Sequence, residues 1–80
     1  MQEYKLLKAI SKETNKATQV KYTGDIGIFA MNDCYLMFVP TCESKGNGFI
    51  TSRVLDRNTI DGVHVFETLN SIYYFEEVGK

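Results

Sequence analysis

The chain has no tryptophan, one proline, two cysteines and one histidine in 80 residues. Each shortage removes something. With Pro40 as the sole residue unable to donate to a ladder, long stretches are free to pair as strands. Cys34 and Cys42 are too few for the disulfide framework that small secreted domains use in place of a large core. Reduced thiols and a cytoplasmic setting are expected, with a single 34–42 bridge as the alternative. A net charge of −1 lacks the basic excess of a domain whose main work is neutralising duplex phosphate. No window nears the ~20 apolar residues of a membrane span. The N-terminal MQEYKLLKAISKE carries lysine every few residues and has no uninterrupted apolar stretch to serve as a targeting signal.

What is present is an ordinary globular composition, 44% hydrophobic and 24% charged, which sets the chain apart from disordered sequences. Residues 1–80 are read as a single domain. A chain this short buries roughly 60–65% of its unfolded surface, so its core must use most of the apolar residues.

Turn signals recur at short intervals: Thr14-Asn15, Gly24-Asp25, Asn32-Asp33, Gly46-Asn47-Gly48, Asp61-Gly62 and Asn70-Ser71. Between them lie runs rich in Val, Ile, Thr, Tyr and Phe. Short strands at this spacing predict a mainly β fold, a small antiparallel barrel-like meander of six to seven strands near 4–11, 17–23, 26–31, 34–39, 48–56, 62–68 and 71–78. The alternative is an α+β fold with an N-terminal helix over about 3–16, since Leu7, Ile10, Thr14 and Ala17 recur at helical spacing while Lys5, Lys8, Lys12 and Lys16 line another face. All connections but PTCESKGN, residues 40–47, are hairpin length, and Pro40 should end its strand.

The hairpin 26–39 is the most informative segment. With Asn32-Asp33 as its two-residue loop, Phe29 opposes Leu36 and Gly27 opposes Phe38, whose ring can cover the glycine. Leu36, Phe38, Phe29, Met31 and Cys34 then share one face. Ile26, Ile28, Ala30, Tyr35, Met37 and Val39 share the other. Both faces are apolar, yet so small a domain has one core. Ile28, Tyr35 and Met37 are therefore the candidate contact residues for a partner or a second copy, because tyrosine and methionine are enriched at interfaces. Coverage by the chain itself is the competing reading.

Candidate sites for chemistry do not assemble. In ETLNSIYYFEEV, residues 67–78, a carboxylate, an amide and three hydroxyls crowd into seven residues, but a tight turn at Leu69-Asn70 accounts for them all. It sets Phe66 against Tyr73 and Val65 against Tyr74. The alternative is one long strand broken by a bulge at Asn70, which would re-aim Tyr73 toward a ligand. Asp56, Asn58 and Glu67 sit at positions one, three and twelve of a calcium-type loop, but Ile60 occupies position five and Gly62 comes one place late. Cys34, Cys42 and His64 lack zinc-site spacing, and His64 reads as a partly exposed strand residue. Gly46-Asn47-Gly48 lacks the lysine and helix of a phosphate loop. No metal, no cofactor and no enzymatic activity is expected.

A single-strand nucleic-acid or nucleotide site remains as an alternative function. Small barrels combine stacking aromatics with basic groups, and Lys5, Lys8, Lys12, Arg53 and Tyr73, with Lys16, Lys21 and Arg57 nearby in kind, could supply them. Charge is lopsided. Residues 1–21 hold five lysines against two glutamates, while 61–80 hold one lysine against four acids.

FITSRVL, followed by a turn and VFETLNSIYYFEEV, resembles the C-terminal hairpins of small, mostly uncharacterised proteins encoded by bacteriophages and mobile elements. The likeness covers residues 49–78. It implies no catalytic residues, a host-cell cytoplasmic location, and an accessory protein that docks on and inhibits or redirects a host defence or nucleic-acid-processing protein.

Overall fold

Extended backbone accounts for every regular element of the computed structural model, which describes residues 2–18, 22–42 and 46–78. The strands are β1 (Glu3–Ser11), β2 (Ala17–Thr18), β3 (Ile26–Asn32), β4 (Tyr35–Pro40), β5 (Phe49–Ile60), β6 (Val63–Thr68) and β7 (Ser71–Val78). The sheet runs β2-β1-β3-β4-β5-β6-β7, all antiparallel, and β1 also pairs with β7. That pairing closes a six-stranded barrel, with β2 as a short addition to β1. The N-terminal helix alternative is therefore corrected. The residues that suggested it are dispersed: Leu7 and Ile10 lie in β1, Thr14 in a turn and Ala17 in β2. Within β1 the register against β7 shifts between Leu6 and Lys8, so that the buried residues Leu6 and Ala9 stand three apart and not two.

The meander holds from β3 to β7 but not at its start. β1 lends one edge to two partners, with Tyr4 and Lys5 paired to β3 and Ala9 and Ile10 paired to β2. Of the expected strand 17–23, Ala17–Thr18 is strand among the described residues. Gln19, Val20 and Lys21 lie outside the described residues, and Tyr22 to Gly24 form a turn that sends the Tyr22 ring into the core. Glu43, Ser44 and Lys45 of the expected long loop also lie outside the described residues.

The β3–β4 hairpin keeps the expected faces but not the expected pairs. Its loop is Asp33-Cys34, with Asp33 at φ 57°, and Phe29 opposes Phe38 while Met31 opposes Leu36. Moving the loop by one residue shifts each partner by two, so no side chain changes face. Gly27 lies opposite Pro40, and the Phe38 ring still covers it: a Cβ at 27 would stand 2.8 Å from Phe38 Cζ. β5 runs four residues further than the sequence pattern indicated. Asp61 at φ 50° and Gly62 at φ 79° make a complete two-residue turn, leaving Arg57 to Ile60 to continue the strand against β6.

Leu6, Tyr22, Leu36, Phe38, Phe66 and Phe75 form the core, with Tyr4, Phe29, Phe49, Val54 and Tyr73 packed around it. Phe75 links the strands: its ring centroid is 5.3 Å from those of Phe29 and Phe38 and 5.8 Å from that of Phe66. Rings thus do the filling that a tryptophan would otherwise share. Truncating any one of them to alanine would cost about 3–5 kcal/mol, a large part of the ~4–12 kcal/mol expected for a domain of this length.

Two glycines with positive φ separate strain from crowding. Gly62 has open space where a Cβ would go, whereas a Cβ on Gly48, at φ 85°, would stand 1.9 Å from the Phe38 carbonyl oxygen. Gly62→Ala should therefore cost only about 1–2 kcal/mol for the left-handed backbone. Gly48→Ala should cost about 3 kcal/mol or more, because main chain must also move. Urea midpoints for the two variants test this, and equal losses would contradict the close approach at Gly48.

Candidate functional site

The polar cluster of residues 67–73 is a hairpin closure. Phe66 pairs with Tyr73 and Val65 with Tyr74, as the tight-turn reading requires. Thr68 is fully buried, and its Oγ1 accepts from the Ser71 N–H at 3.1 Å while donating to the Ser71 carbonyl at 2.8 Å. Asn70 contributes no left-handed residue, since the positive-φ residues other than glycine, among the described residues, are Asn15, Asp33 and Asp61. Its backbone carbonyl accepts from the Lys12 N–H at 3.0 Å, and its N–H donates to Ser52 Oγ at 3.3 Å. Beside it, Ser11, Lys12, Glu13, Leu69, Asn70 and Ser71 line a surface cleft of about 420 Å³.

His64 is the residue that the sequence placed wrongly. It is 7% exposed, on the inner side of β6 with Phe66 and Thr68. Its Nδ1 lies 3.1 Å from Thr59 Oγ1 and its Nε2 lies 2.8 Å from Glu77 Oε2. Tyr4 and Phe29 meet its ring edge-on. Hydroxyl, imidazole and carboxylate in line are the parts used in nucleophilic catalysis. Here they belong to three adjacent strands, both ring nitrogens are occupied, and neither of the two clefts described reaches them. The arrangement satisfies a buried polar ring and ties β5, β6 and β7 together. Strand alternation could have found it: His64 shares the parity of Phe66, the central ring of β6.

The basic candidates do not converge. Lys5 and Lys8 stand on the outside of β1, Lys5 across from Glu76 and the Lys8 Nζ 4.7 Å from the Tyr74 ring centroid. The Lys12 Nζ is held 2.6 Å from Glu67 Oε2, which also relieves the like charges of the Asp56–Glu67 cross-strand pair. Arg53 lies on a different side, opposite Tyr35. Tyr73 faces inward and stacks on Phe49 at 5.8 Å, so it offers no open ring to a base. Lys21 lies outside the described residues. Among the described residues, no three His, Cys, Asp or Glu side chains group as a metal site, and Cys34 and Cys42 are both exposed.

Ile28, Tyr35 and Met37 do converge. They lie on the outer face of the β3–β4–β5 sheet. Cross-strand pairs set Ile28 beside Val39, Ala30 beside Met37, and Met37 beside Ile50. Tyr35 is 45% exposed and Ile50 59%. Met37, Asn47, Gly48, Phe49 and Ile50 line a cleft of about 340 Å³ at one end of this face, while Arg53 borders the other. Sequence reasoning found three of these residues from the even–odd pattern of the hairpin. It missed Ile50, which joins them only through the β4–β5 register.

Two measurements follow from this geometry. Thr68→Val should destabilise by about 1–3 kcal/mol, the cost of an unsatisfied buried backbone partner, whereas Asn70→Ala should stay within about 0.5 kcal/mol; thermal or urea unfolding distinguishes them. Burial raises the Tyr73 phenol above its ordinary value of 10.0, with a hydrogen bond to Ser71 acting the other way. A raised folded-state value means that this contribution is complete below the unfolded value and is lost as pH rises through the folded one. Above pH 10 the wild-type Tm should therefore fall more steeply than that of Tyr73→Phe, and parallel curves would refute the assignment.

Compared with protein-family models, curated proteins and solved structures, the chain matches none.

Proposed function

We propose that this barrel works by binding another protein through the outer face of β3, β4 and β5. One observation carries the reading: the core is complete without Ile28, Ala30, Tyr35, Met37, Val39 and Ile50, yet these side chains form a continuous uncharged exterior. Ala30, Tyr35 and Ile50 are exposed and Ile28, Met37 and Val39 half-buried, and contiguous apolar surface open to solvent is a usual mark of an interaction site. The cleft beside Met37 and Ile50 offers a place for an anchoring side chain, and interface energy concentrates in such pockets. Tyr35 and Arg53, paired across β4 and β5, supply the residue types enriched at interfaces. The likeness of residues 49–78 to phage and mobile-element proteins adds the rest of the proposal: the partner is a host protein in the host cytoplasm, and docking blocks or redirects it.

No helix among the described residues is long and apolar enough to cross a membrane. The alternative, single-strand nucleic-acid binding, draws no support from the scattered positions of Lys5, Lys8, Lys12, Arg53 and Tyr73.

The test is capture of a stoichiometric protein by tagged wild type from host lysate, repeated with variants on both faces of β4. Tyr35→Lys and Met37→Lys should each weaken capture by more than ~1 kcal/mol, about fivefold, with unchanged circular dichroism and Tm. Leu36→Lys, on the buried face, should unfold the domain. Undiminished capture by both surface variants, or co-purification of nuclease-sensitive material in place of a protein, would overturn the reading.

A further inference from the structure

β5 is long because two neighbours share it. β4 pairs with it over 49–53 and β6 over 54–60. From Leu55 onward its other edge carries no strand among the described residues, and all of residues 55–60 are exposed, Ile60 at 64%. The two-residue turn makes Ile60 and Val63 the closing pair, so residues 60, 58 and 56 direct their backbone groups to β6. Residues 57 and 59 direct theirs to solvent. Such an edge is a template for another chain.

The copy it fits is its own. Laid antiparallel on itself, the run 56–60 places Asn58 on the two-fold axis, Arg57 across from Thr59, and Asp56 across from Ile60. No like charges meet directly. Two-fold pairing of identical patches is the commonest form of self-association.

Three features oppose it. The bulge between Val54 and Asp56 interrupts the flat edge. Arg57 projects on the inner side, with its guanidinium carbon 4.9 Å from the Phe66 ring centroid and 5.7 Å from that of Phe29, and a charge there would be desolvated by an added strand. Asp56 Oδ1 accepts the Arg57 N–H at 2.8 Å, so this outward donor is already taken. Bulges and inward charges are the means by which natural sheets protect edges. We infer that Asp56 and Arg57 form a guard that holds a latent self-pairing surface on β5 shut.

The test is sedimentation over a range of concentrations. Wild type should show no association that Asn58→Lys abolishes. The Asp56→Ala/Arg57→Val variant should shift with concentration toward twice the chain mass. Adding Asn58→Lys, which sets lysine against lysine at the two-fold, should return it to monomer, and mixing that triple variant with its Asn58→Glu counterpart should restore the dimer. If the double variant loses its β spectrum, Asp56→Ala alone carries the test, with the same direction expected. The inference fails if the unguarded variant stays in the wild-type state, if its association ignores Asn58→Lys, or if wild type already pairs in an Asn58-dependent way.

Discussion

The pairing of β1 with β7 is the constraint on which the rest depends. It joins the two ends of the chain from Glu3–Val78 to Ser11–Ser71 and turns an open sheet into a barrel. Closure decides which face of every strand is inside. It also requires an interior filled by side chains alone, which Phe38, Phe66, Phe75, Leu6 and Leu36 provide. The bulge after Leu6 belongs to the same constraint, since it keeps Ala9 on the inner side as β1 bends around the core.

A filled barrel keeps its rings and partnered polar groups inside. Its inner polar groups are partnered: Thr68 with Ser71, and His64 with Thr59 and Glu77. Its outer surface is uneven. Around β1, β6 and β7, charged and apolar residues alternate, with Lys5 set against Glu76 and Lys8 over Tyr74. Around β3, β4 and the first half of β5, apolar residues adjoin without a charge until Arg53. The second half of β5 is different again, an edge that bears Asp56 and Arg57 and carries no strand among the described residues. One strand thus contributes to the surface proposed for contact and to the edge inferred to be guarded.

Much of this was legible in the residues. Val, Ile, Tyr and Phe between turn signals marked the strands, and the hairpin closed by Leu69-Asn70 came out in the correct register because a two-residue loop leaves little freedom. The two faces of β3 and β4 were also correct, since parity survives a loop displaced by one residue to Asp33-Cys34. The errors share a cause. Leu7 and Ile10 stand three apart across the bulge in β1, the end of the strand expected over 17–23 is a turn from which the Tyr22 ring enters the core, and β5 outran its polar residues because Arg57, Asn58 and Thr59 are held by β6. In each case a distant strand overrode a local pattern.

The sequence by itself determined the strand-and-turn alternation, the apolar parity of each strand, and the excess of apolar faces over what one small core can use. Those properties are local, set by side-chain period and turn chemistry. Only the tertiary structure decided that Ile50 joins Met37, that His64 is buried between Thr59 and Glu77, and that the second half of β5 has one edge without a strand among the described residues. Each of these depends on register between strands, and register is settled by barrel closure and core packing, not by any single segment.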